Sequence, residues 1–122
     1  MSSGPKTYAF NRTRQAFLAT ELSVADTHCS RFWGLMFQNA SNFQKGQGLW
    51  IIPSRGVHTF AMRFPIDVVY LDKTKRVVHL HTGLKPWRVA AVKMEAASVL
   101  ELPGDTLGAS GTTIGDELEI VG

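Results

Sequence analysis

Apolar and polar positions change period several times along the chain. TYAFN (7–11) and QAFLATELSVA (15–25) hold β-branched and aromatic residues in partial alternation, which predicts two strands joined near NRTR. Over residues 23–37 the spacing becomes helical: Ala25, Cys29, Phe32, Trp33 and Met36 fall on one face. Ser23, followed three residues later by Asp26, is a capping-box-like start, so one helix is expected at about 24–37. Gly34 inside it costs about 1 kcal/mol against Ala, and marks either a close approach or the helix end. QNASNFQKGQG (38–48) reads as loop. LWIIP (49–53), HTFAM (58–62), IDVVYLD (66–72), RVVHLHTGL (76–84), SVLELP (98–103) and LEIVG (118–122) read as strands. Pro86 opposes a helix in KPWRVAAVKMEAA (85–97), leaving a long loop, and GDTLGASGTTIGDE (104–117) is a compact Gly-rich connection. The pattern predicts a mainly β fold. It would be a single small β-barrel-like domain of about eight strands over 7–122, with one α-helix at 24–37 and a disordered tail at 1–6.

At 122 residues and 44% hydrophobic content, the chain can bury one core without a staple. Its one cysteine, Cys29, excludes an internal disulfide and is compatible with a reducing compartment. Neither a signal-peptide core nor a membrane-length apolar run is present, so a soluble cytoplasmic protein is expected. All 13 Lys and Arg precede residue 95, whereas residues 95–122 hold six acids and neither cation. Only DKTKR (72–76) is densely basic. That is a turn rather than the clustered basic face nucleic acid requires, so an acidic C-terminal stretch folding back on a basic body is the simpler reading.

Three segments in order resemble the bacterial and archaeal family called domain of unknown function 192. They are ADT…R..GLMF (25–37), GLWIIP……FAMRFPIDVVYLD (48–72) and VLELPGDTL……IGDELEI (99–120). The family's usual central motif is close to F-W-M-K-N-T-x-I-P-L-D. This chain keeps Met62, Arg63, Pro65 and Asp67 but lacks the Asn-Thr pair, so no role of that pair carries over. The resemblance implies a small β-rich domain and no established activity.

Within HTFAMRFPID (58–67), strand alternation sends Phe60 and Met62 to the core and leaves His58 at the rim of the same face. Pro65 marks the bend into the next strand. Asp67 alternates with Val69 and Leu71 on a largely apolar face, where a carboxylate needs partners. Either it pairs with Arg63, Arg88 or loop amides and pins the bend, or it joins a polar cluster at a pocket mouth. The candidate ligand-binding set is His58, Arg63, Asp67, Trp87 and Arg88. The expected ligand is a small polar, carbohydrate-like or anionic molecule. A hydrolase using His58 as base and Asp67 as its orienting carboxylate is an alternative, as is a protein-interaction module around Trp87. His79 and His81 share a strand face but lack the further ligands a metal site needs. No metal or cofactor is expected, and the oligomeric state is left open. IGDEL (114–118) resembles the Gly-Asp step of small cradle-loop barrels, which would make Gly115 and Asp116 architectural.

Overall fold

The computed structural model describes residues 4–25, 43–56, 64–86, 88 and 92–122. Among them run eight strands: β1 (Tyr8–Asn11), β2 (Ala16–Ala19), β3 (Glu21–Ala25), β4 (Gln47–Ile51), β5 (Ile66–Leu71), β6 (Val77–Leu84), β7 (Ser98–Pro103) and β8 (Leu118–Val121). One short helix, α1 (Thr106–Ser110), joins the last two. The mainly β expectation holds, but the barrel does not. The strands form two separate sheets, β2-β1-β8 and β3-β4-β7-β5-β6, and neither closes on itself.

The split originates at Thr20. QAFLATELSVA reads as one strand, yet it breaks into β2 and β3, which belong to different sheets. The amides of Thr20 and Glu21 both donate to the Gly46 carbonyl, at 2.8 and 2.9 Å, and turn the chain there. Gly48 supports this corner by its smallness: a Cβ on it would lie 3.0 Å from the Ala19 Cβ and 3.2 Å from Leu102. From the corner, β3 runs parallel to β4, Ser23 opposite Leu49, while the other pairings in that sheet are antiparallel. The helix expected from Val24 therefore meets a strand at Val24 and Ala25. Its remaining positions, with Gly34, lie outside the described residues, as do Met62 and the HTFAM strand. α1 arises instead inside the Gly-rich connection, where Asp105 and Gly111 flank it in left-handed conformation, at φ 71° and 70°.

The five-stranded sheet is buried on both faces, as the unbroken burial of β5 and β7 shows. Val69, Leu71, Leu100 and Leu102 pack with Leu18, Leu107 and Leu118 on one face. Ile66, Val68, Tyr70 and Val99 pack with Leu49, Ile51, Phe43 and Phe64 on the other. Alternate residues along a strand reach opposite faces, so each of these fully buried strands feeds both layers.

The acidic C-terminal stretch does fold back on the basic body. Arg12 meets Glu119 at 3.2 Å, Arg14 meets Asp116 at 3.1 Å and Arg76 meets Glu117 at 2.7 Å. Each arginine is substantially exposed, so these pairs orient more than they stabilise. Asp116 is different because it is buried. Its Oδ2 accepts the Asn11 side-chain amide at 2.9 Å, the Thr113 backbone amide at 3.0 Å and Arg14 Nε at 3.1 Å. Burial works to raise its pKa, but Asn11, Thr113 and Arg14 outweigh it and hold the carboxyl below its ordinary value. Gly115, at φ 95°, supplies the backbone angle that brings Asp116 into this position.

Glu101 sits in a different setting, where burial dominates its titration. It lies on β7, the middle strand, between Leu49 on β4 and Val68 on β5. It is 2% exposed. Burial pushes its pKa up to about 8. The folded state thus holds a proton that an unfolded chain releases near its ordinary value of about 4.5. The stabilising contribution is complete below about pH 4.5 and is lost as pH rises through about 8. Chemical denaturation of the parent protein at pH 5 and pH 9 is expected to differ by a few kcal/mol, on the order set by such a shift. Glu101→Gln is expected to remove most of that difference; an unchanged pH dependence would show that Glu101 is not its source.

Candidate functional site

Asp67 organises the best-defined polar site among the described residues. β5 alternates Ile66, Val68 and Tyr70 towards one layer with Asp67, Val69 and Leu71 towards the other. The carboxylate is 1% exposed. Its Oδ1 accepts the Gly83 amide at 2.9 Å, and its Oδ2 accepts the Leu107 amide at 2.8 Å. One side chain thereby ties β5 to β6 and to α1. Its donors among the described residues are backbone amides rather than an arginine.

The Gly83 contact has a local cause. In the β5–β6 ladder, Ile66 faces Leu84 and Val68 faces His81, so two steps on β5 oppose three on β6. The extra residue makes a β-bulge at Thr82–Gly83, and Gly83 takes φ 61° to accommodate it. A bulge leaves an amide outside the regular ladder, and Asp67 accepts it. A Thr-Gly pair inside a strand pattern is a bulge signal, so this feature could have been read from HLHTGL.

Two grooves meet at this bulge. One, of about 630 Å³, is lined by Lys45, Asp67, Thr82, Gly83, Asp105 and Gly108. The other, of about 370 Å³, is lined by His81, Gly83, Leu84, Lys85 and Arg88. Of the residues nominated by sequence, Asp67 and Arg88 therefore line adjoining grooves that share Gly83. His58, Arg63 and Trp87 lie outside the described residues. Pro65 is exposed immediately before β5, at the bend. Sequence reasoning missed Lys45, Thr82, Lys85 and Asp105, which carry no motif and converge only through strand order.

His79 and His81 are half-buried on the same sheet face, opposite Tyr70 and Val68. The His79 ring meets Tyr70 edge-on at 5.0 Å. Burial lowers the His79 pKa first, and Lys93 and His81 add to this against an opposing Glu95. Tyr70 is pushed up by burial. No group of three metal-ligating side chains occurs among the described residues, and no described helix is long and apolar enough to cross a membrane.

The fold and site define a small two-sheet β domain with a carboxylate-clamped bulge at one rim. The chain belongs to the DUF192 family of uncharacterized proteins, whose profile matches residues 9–120. A UPF0127 protein of Pyrococcus furiosus is 34% identical over 114 residues, spanning 89% of this chain and 94% of that one. A UPF0127 protein of Thermococcus sibiricus is 32% identical, spanning 89% and 71%. A protein of unknown function from Novosphingobium aromaticivorans has the same fold, with TM-score 0.73, 18% identity and coverage of 93% and 83%. So does a Sinorhizobium meliloti protein, with TM-score 0.71, 18% identity and 98% of both chains.

The amide clamp makes a direct prediction. Asp67→Asn keeps the shape but turns an NH2 towards one of the two N–H groups, the part-buried one of Gly83 or the buried one of Leu107. Loss of a buried acceptor costs roughly 1–3 kcal/mol, more for a charged one. Unfolding free energy is expected to fall by about that amount. Hydrogen exchange at Gly83 and Leu107 should accelerate before the rest of the sheet. Asp105→Asn, on the exposed wall of the same groove, should leave both unchanged.

Proposed function

We propose that the protein is a binding or accessory domain for a small polar ligand, and that an anion is the ligand class its rim suits best. The observation that carries this reading is the meeting of two open grooves at Gly83. Lys45 stands on one side, and Lys85 and Arg88 on the other. Asp67 is spent on backbone amides, so it acts as the frame of the site rather than as a contact to the ligand. The grooves are lined by Lys45, Lys85 and Arg88, the Thr82 hydroxyl, Asp105 and the backbone around the bulge. His58, Arg63 and Trp87 enter the proposal on sequence alone, as further donors and a stacking surface. The hydrolase alternative requires Asp67 to orient His58, and a carboxylate with an amide on each oxygen is poorly placed for that second task.

Titration of the labelled protein with citrate, and separately with glucose, tests this by NMR. Citrate is expected to move the Thr82, Gly83 and Lys85 amides saturably, with affinity falling as salt is raised. Lys45→Ala and Arg88→Ala should each weaken it by about three- to tenfold, the effect of losing one partly exposed charge contact. Saturable shifts with glucose alone would replace the anion by a carbohydrate-like ligand. Absence of shifts at Gly83 with either would defeat the rim site.

A further inference from the structure

We infer that the groove between β2 and α1 is a second binding site, apart from the rim, for a short alkyl carboxylate whose head meets the Lys45 ammonium and whose tail lies on the apolar lining. The groove holds about 240 Å³. Leu18, Ala19 and Thr106 are buried and make its floor; Phe17 and Ala109 are exposed and make its walls. Lys45 and Ala109 also line the larger rim groove, so they mark where the two meet.

The shape of the groove has a local cause. β2 is an edge of the three-stranded sheet, and it carries a bulge. Ala19 faces Ala9 and Phe17 faces Phe10, so Leu18 is the extra residue. Regular alternation would send Leu18 and Ala19 to opposite faces; here both are buried and both line the groove. Bulges recur beside functional sites because they re-aim side chains in this way. Phe17 is 49% exposed, yet two rings hold it. Tyr8 meets it edge-on at 5.8 Å and Phe10 at 4.8 Å. A wall fixed before binding avoids the ordering cost of a mobile side chain.

The lining selects both ends of the ligand. Among the described residues no acid lines this groove, and Lys45 makes no ion pair. The hydroxyls of Thr106 and Ser110 are already engaged: Thr106 donates to the Pro103 carbonyl at 2.7 Å, and Ser110 shares a bond of 2.7 Å with Thr112. A hydroxyl-rich ligand would find few free donors here, whereas a carboxylate needs only the lysine. Phe17, Leu18, Ala19 and Ala109 then call for hydrocarbon at the other end. At ~30 Å³ for each water-sized group, the groove takes about eight heavy atoms, the number in hexanoate. A peptide strand suits the place less well. The bulge breaks the regular edge that an added strand needs, and α1 packs against β2.

Hexanoate is the probe, titrated into the full chain labelled with 15N. At millimolar concentration it is expected to shift the Phe17, Leu18 and Ala109 amides saturably, leaving Gly83 and Lys85, which report the rim, in place. Butanoate should bind about tenfold more weakly, since two buried methylenes are lost at roughly three- to fourfold each. Hexanol keeps the tail without the charge and should bind about three- to tenfold more weakly. Lys45→Ala should weaken hexanoate by a similar factor, and Lys45→Arg, which keeps a cation, should restore most of the affinity. The inference is overturned if millimolar hexanoate gives no saturable shift at Phe17 and Leu18, or if the shifts fall at Gly83 and Lys85 instead. It is equally overturned if butanoate or hexanol binds as tightly as hexanoate, or if Lys45→Ala binds as tightly as the parent. The ligand comparisons are made on the parent protein, so they decide the matter whatever the stability of the Lys45 variants.

Discussion

The rim of this protein depends on one carboxylate. Asp67 accepts amides from Gly83 and Leu107, residues 16 and 40 positions further along the chain. Without that acceptor, the bulge in β6 and the first turn of α1 would each leave a buried or half-buried N–H unpaired. Charged acceptors make stronger hydrogen bonds than neutral ones, and low dielectric strengthens them further. The cost of taking the carboxylate out of water is offset only because both its oxygens are engaged. The bulge, the helix and the two grooves beside them follow from that arrangement.

A second buried polar centre does the same for the smaller sheet. Asn11 is fully buried on β1 and donates to both Thr112 and Asp116, while its own oxygen accepts the Arg14 amide. Asp116 gathers the turn that starts β8. The isolated bridge between Arg76 and Glu117 then links that turn to the start of β6 in the larger sheet. The two sheets stay open as a result of the Thr20 corner, which sends β2 and β3 in different directions. They are nevertheless tied through side-chain and main-chain contacts at the end opposite the corner.

Several of these features were legible in the chain. Asp67 stood out because alternation in IDVVYLD places it on an apolar face, where an acid demands partners. Asp116 stood out because Gly-Asp precedes a closing strand. Glu101 sits at an equivalent alternating position in SVLELP, beside Val99 and flanked by leucines, and the same reasoning would have found it. The Thr20 corner carried no such sign, since QAFLATELSVA has no glycine or proline to interrupt it. The break is imposed by the Gly46 carbonyl, 26 residues away. α1 was hidden for a related reason. Five residues with two flanking left-handed positions give too short a period to separate from loop.

Hydrophobic alternation by itself determined that this chain makes strands, roughly where they lie, and which face of each is apolar. Local chemistry determined which polar residues would need partners once buried. Those are properties of neighbours in sequence, governed by strand geometry and the cost of desolvation. Strand order, the division into two sheets and the identity of every buried donor were decided only in three dimensions. They depend on which distant backbone groups arrive at Asp67, Asp116 and the Gly46 carbonyl. The same holds for the groove that joins Lys45 to Thr82 and Gly83, which exists only when β6, the β3–β4 corner and α1 are packed together.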